Sequence, residues 1–168
     1  MISNQVYWIS ILVFALLATN EILAFDKGHL EIFKKDKICE ECGLTKAKLS
    51  KMELQGANLR GSNLFRANFY KSDLTGANLS ETNLGRSNMK RTNLQGANLK
   101  GADLTRADLR EAVLFEANLT GALLEDTKLI GTVLKGAVWT NGQICKDGSL
   151  GNASNNFFLF ALNIHQLC

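Results

Sequence analysis

Four cysteines and two histidines are the residues best equipped for chemistry in this 168-residue chain. Cys39 and Cys42 form a CxxC pair, while Cys145 and Cys168 stand far away toward the other end. A CxxC supports a local disulfide, half of a zinc site or a redox dithiol. Zinc wants four ligands close in space, and His29 would raise the CxxC only to three. A redox dithiol belongs at a helix start in a strand–helix context. Here Cys42 instead opens a ladder of short repeats. That placement favours a disulfide in the N-terminal cap, with reduced structural thiols as the nearest alternative. His165 sits in an apolar tail and suits a rim position better than a base. No Ser/His/Asp set, phosphate loop or carboxylate pair stands apart from the repeat. The expectation is therefore no catalytic residue, no cofactor and no metal.

The element that must position these residues is the ladder. From Leu44 to Trp139 a large apolar residue recurs at every fifth position, twenty times without a skip; Phe69 and Met89 are the other two steps that are not leucine. Two residues earlier stands a small side chain, with Cys42 and Met52 the exceptions, and Asn or Asp directly precedes the large residue in twelve of the twenty units. A helix repeats every 3.6 residues and a strand every 2.0, so neither would bury all the large residues together. A coil with one pentapeptide per side buries both the small and the large residue of every unit. An unbroken alanine column at 57, 77, 97, 117 and 137 points to four sides per coil and stacking at intervals of twenty. Glycine at 56, 76, 96 and 136 suits a corner that needs a positive φ. Neighbour-on-neighbour stacking of this kind is how solenoids build a core.

Units such as Ala57-Asn58-Leu59, Ala77-Asn78-Leu79 and Ala107-Asp108-Leu109 give the pattern A-(D/N)-L-x-x. In this the chain resembles the pentapeptide-repeat proteins over residues 42–141. The resemblance implies an all-β solenoid: a right-handed quadrilateral β-helix of about five coils, with short helical caps at both ends. The Trp139 to Gly151 stretch resembles a tail found after exported pentapeptide ladders. From that likeness Cys145 is expected to pair with Cys168.

Ahead of the ladder, Val6–Ala18 is an uncharged apolar run. It is short for a membrane span, which needs about 20 residues, and fits a secretory h-region with cleavage after Ala24. The expected organisation is a signal peptide over 1–24, an N-terminal helical cap over 25–41, the β-helix over 42–141 and a C-terminal cap over 142–168. Within the caps, 29–38 is expected to form an amphipathic helix resting on Leu30, Phe33 and Ile38, and 155–167 an apolar lid helix. Export would place the cysteines in an oxidising compartment.

The composition is 46% apolar and 21% charged with a net charge of +3, which is enough for one domain with a core and too balanced to imply a dedicated nucleic-acid binder, so no nucleic-acid partner is expected. The interval of twenty nonetheless stacks like charges. Lys46, Arg66, Arg86 and Arg106 form one column that ends in Asp126. Lys51, Lys71 and Arg91 form a second that ends in Glu111, with Lys90 and Arg110 beside it. Lys46, Arg66, Lys71, Arg86, Arg91 and Arg106 are the candidate docking stripe for an acidic protein or a membrane surface, against a merely solvated face. The expected protein is an exported, non-catalytic scaffold or interaction module, monomeric or dimeric through a cap. Exported relatives with such caps place it in a thylakoid lumen or a periplasm. The alternative is a cytoplasmic DNA mimic that protects topoisomerases, as some members of that family do. Those present an acidic surface, opposite in sign to this stripe.

Overall fold

The computed structural model describes residues 26–146. From residue 42 to residue 141 the backbone repeats one unit: an inward small residue, a bridging residue, an inward large residue and a two-residue turn. Every parallel bridge joins a residue to the one twenty positions later, from Ile38 with Asn58 to Asn118 with Val138. Four units therefore complete one circuit, and the chain climbs as a four-sided column with a rise of about 4.8 Å per storey. Leu44 N–H donates to the Asn63 carbonyl, and Asn63 N–H donates back to the Cys42 carbonyl, both at 2.8 Å. The same exchange recurs on every side, so the backbone's polar groups are satisfied by the storeys above and below.

The corners explain the residue choices. At most of them the N–H of the next small residue closes the turn, as Ala47 does on the Leu44 carbonyl at 3.0 Å. The second turn residue is left-handed at every corner from Lys46 to Gly136, with φ between 55° and 74°. That geometry prefers glycine, yet eleven of these nineteen corners carry a side chain. The Asn or Asp before each large residue helps to hold the bend. All twelve accept, through Oδ1, the backbone N–H two residues on, from Asn58 with Arg60 to Asn118 with Thr120. An Asx turn of this kind is what the short polar side chain offers the backbone.

The interior is a stack of leucines filled out by Phe69, Met89 and small residues, nearly all with no exposure. Serine and threonine in the small slot donate inward. Ser72 Oγ reaches the Leu49 carbonyl at 2.6 Å and Thr92 Oγ1 the Phe69 carbonyl at 2.8 Å. Ser87 Oγ is buried without such a partner, and nothing in the surrounding structure explains it.

At the bottom, helix α1 spans Lys27–Asp36. Asp26 caps it, its carboxylate accepting the N–H groups of Gly28 and His29, and Lys37 stops it in a left-handed conformation at φ 56°. Leu30 and Phe33 are buried against the first storey. Ile38 departs from expectation: it lies beyond the helix stop, is exposed, and bridges Asn58. The ladder thus begins one unit before residue 42, with Cys39 in a large-residue slot and Cys42 in the next small slot. At the top the chain reverses: Gly142 N–H donates to the Trp139 carbonyl, Trp139 N–H to the Gln143 carbonyl, and Val138 bridges Ile144 antiparallel. The expected signal segment 1–24 and lid helix 155–167, with His165 and Cys168, lie outside the described residues.

Candidate docking surface

Two neighbouring corners bound one side of the column. Corner I consists of residues 45–46 and their equivalents every twenty residues; corner II consists of 50–51 and theirs. In the three lower storeys this side is made by residues 45–51, 65–71 and 85–91, which hold eight Lys and Arg and no Asp or Glu. Lys46, Arg66 and Arg86 stand on corner I, Lys51, Lys71, Lys90 and Arg91 on corner II, and Lys48 on the flat between them. The two upper storeys, 105–111 and 125–131, carry Arg106, Arg110 and Lys128 against Asp108, Glu111, Glu125 and Asp126.

All six residues of the expected stripe occupy left-handed corner positions, with φ between 56° and 60°. They are therefore held rigidly at the edges of one side, although glycine would suit that backbone better. The structure separates them into two groups. Arg91 Nε pairs with Glu111 at 2.7 Å, where Lys90 joins at 3.3 Å, and Arg106 Nε pairs with Asp126 at 3.2 Å. Lys46, Arg66, Lys71 and Arg86 make no ion pair among the described residues. Sequence reasoning passed over Lys48, because it fills the slot usually held by Asn or Asp. The twenty-residue register was the signal that could have found it, since Lys48 stacks under Asn68 and Asn88 on the same flat.

Two aromatic rings underlie the cations. Arg66 lies over the Phe65 ring and Lys71 over the Tyr70 ring, each 5.4 Å from the centroid. Phe65 rests against Gly85 one storey up, where a Cβ would come within 3.1 Å of the ring. Partial burial raises the Tyr70 pKa, but the charge of Lys71 and the neighbouring Arg91 outweigh it and hold the phenol below its ordinary value. Higher up, the Arg91 guanidinium keeps Glu111 below the usual carboxylate range, and the Arg110 guanidinium does the same for Asp108.

Cys39 and Cys42 are joined in a disulfide with a Cα–Cα distance of 5.5 Å. His29 faces the same corner but accepts the Gly43 N–H through Nδ1 at 3.2 Å. Cys145 is buried and disulfide-bonded; its expected partner, Cys168, lies outside the described residues. Among the described residues no cluster of His, Cys, Asp and Glu could hold a metal ion, and no helix is long and apolar enough to cross a membrane. The lower storeys of this side present eight Lys and Arg side chains on a regular, bridge-stacked backbone.

The family described as pentapeptide repeats matches in eight copies over residues 42–80, 72–110 and 107–138. Among solved structures, the chain is similar to the pentapeptide repeat protein Rfr23 of the cyanobacterium Cyanothece 51142, at 31% identity over 67% of this chain and 97% of that one, with a TM-score of 0.38. It is also similar to a pentapeptide repeat protein of Nostoc PCC 7120, at 23% identity, covering 81% and 93% of the two chains with a TM-score of 0.49. A third is a pentapeptide repeat protein of the Arabidopsis thaliana thylakoid lumen, at 24% identity, 66% and 76% coverage and a TM-score of 0.35. No curated protein matches the chain.

Proposed function

The chain belongs to the pentapeptide-repeat family, and we propose that it acts there as an exported, non-catalytic interaction module that docks through its charged side. The observation that carries this reading is the wall of eight cations without a single carboxylate in the lower three storeys. The four-sided ladder supplies the rigid frame, and the inward positions are consumed by the core. In this reading the column winds right-handed through about five coils, and residues 142–168 form a C-terminal cap tied by Cys145 to Cys168. The compartment is a thylakoid lumen or a periplasm. Support for export comes from the Val6–Ala18 run and from the oxidised Cys39–Cys42 pair, since disulfides persist in oxidising compartments. The DNA-mimic alternative calls for an acidic surface and gains nothing from a cationic side.

Cell fractionation followed by intact-mass and peptide mapping tests this. The expected result is a mature chain that begins after Ala24, found outside the cytoplasm, with Cys39–Cys42 and Cys145–Cys168 both oxidised. A full-length cytoplasmic chain with four free thiols would sink the reading.

A further inference from the structure

We infer that the lower charged side binds an anionic lipid bilayer surface. This deepens the interaction-module reading and rests on it. The first ground is shape. Corners I and II are the two edges of one flat side, so the cations of three storeys address a single plane, and a headgroup layer engages such a plane without bending. The second ground is what the centre of the side lacks. A specific protein interface is anchored by buried apolar or aromatic residues inside a polar rim. Here the centre holds Lys48, Asn68 and Asn88, whereas the exposed large apolar residues among those described lie off the three lower storeys of this side: Ile32, Ile38, Leu123 and Ile144, with Ile130 on corner II of the top storey. The only aromatics of the lower side, Phe65 and Tyr70, apart from the buried Phe69, are already covered by Arg66 and Lys71. Polybasic attraction to anionic headgroups needs no such anchor.

The third ground is the backbone. The four corner columns share one left-handed turn. The two columns away from this side carry mainly glycine there, at 56, 61, 76, 96, 101, 121 and 136. The lower storeys of corners I and II carry only Lys and Arg. Basic side chains thus stand at the very positions where the backbone favours glycine, and they gather on one side. A requirement of folding would not sort them by side, because the turn is the same all round.

The test is sedimentation of the full chain with vesicles of phosphatidylcholine alone and of phosphatidylcholine with about one-third phosphatidylglycerol, at about 0.1 M and about 0.5 M NaCl. The apolar Val6–Ala18 run can add only charge-blind binding, which neutral vesicles report. The expected result is a preference for the anionic vesicles that high salt abolishes. Lys46→Gln/Arg66→Gln/Arg86→Gln should lower that partitioning about a hundredfold, at roughly fivefold per charge. Arg106→Gln/Arg110→Gln/Lys128→Gln, which removes the same charge from the upper storeys, should lower it by less than about fivefold. The lower-storey substitutions should leave the thermal melt nearly unchanged. The upper-storey ones, which break the Arg106–Asp126 and Arg110–Asp108 pairs, should lower it only slightly, so lost binding cannot be mistaken for lost folding. Equal binding to both vesicle types, salt-insensitive binding, or equal losses in the two triple variants would overturn the inference. Salt-sensitive binding of poly-glutamate without vesicle binding would overturn it in favour of an acidic protein, and would leave the interaction-module reading standing. The assay is blind to compartment, so its failure is distinct from a failure of export.

Discussion

The lower and upper storeys of the charged side share a backbone, a core and a corner geometry, and differ in what the corners carry. Below, Lys46, Lys51, Arg66, Lys71 and Arg86 project from left-handed turns without an acidic partner among the described residues. Above, Asp108, Glu111 and Asp126 take up the guanidinium groups of Arg110, Arg91 and Arg106. The same asymmetry runs along the chain. Residues 26–91 carry thirteen Lys and Arg against eight Asp and Glu, while 92–146 carry six of each. One scaffold therefore holds two electrostatic states a storey apart, which separates what the ladder requires from what is written upon it.

That separation is tested most severely in the core. Phe69 belongs to a cationic storey and Leu109 to an ion-paired one, and both are fully buried. Phe69→Ala should cost about 3–5 kcal/mol and Leu109→Ala about 2–5 kcal/mol, measured by urea unfolding. Losses of this size in both would show that the zones differ only at their surface. If Leu109→Ala were nearly neutral, the upper storeys would lack the shared core, and the comparison would fail.

A smaller effect is expected at the corners. Gly76 has φ 65° with nothing within 4 Å of the Cβ it lacks, and Arg66 has φ 59° in an equivalent turn. Gly76→Ala should cost about 1 kcal/mol through backbone strain alone. Arg66→Gly relieves that strain but frees the unfolded chain, so its melt should stay within about 0.5 kcal/mol of the parent. A marked loss for Arg66→Gly would mean that its contact with Phe65 is a structural requirement, which would weaken the case that the lower cations are carried for a partner.

The period of five, the stacking interval of twenty and the inward leucines were legible because each is a matter of residue type at fixed spacing. The Asx role of the twelve Asn and Asp residues was visible only as a composition bias, since the bond that explains it joins a side chain to a backbone N–H two residues on. The left-handed corners were half legible. Glycine announces a positive φ, but Lys and Arg in the same turn do not, and so the residue types alone did not place the stripe on the two edges of one side. Register alone brought Arg91 near Glu111 and Arg106 near Asp126; only coordinates show that those side chains turn toward each other while Arg86 makes no ion pair among the described residues. Ile38 was misplaced because its apolar spacing continues that of α1, whereas Lys37 has already ended the helix.

The finest division between the zones is in pH. Hydrogen bonding from the Arg110 guanidinium holds Asp108 below the usual carboxylate range, against partial burial and with help from the Arg110 N–H and the charges of Arg110 and Lys128. A folded pKa below the unfolded value of about 3.9 gives stability that is present above that value and lost as pH falls through the folded one. Arg110 is 40% exposed, so solvent screening keeps the amount under about 1 kcal/mol. Asp108→Asn removes the charge but keeps the Oδ1 acceptor for the Arg110 N–H, as Asn88 does for Lys90 one storey below. The variant should therefore melt slightly below the parent at pH 7, and the gap should close as pH falls through the folded Asp108 pKa, where both side chains become neutral. A gap that persists at low pH would show that asparagine does not reproduce the turn at this position, and the difference between the zones would then reach into the backbone.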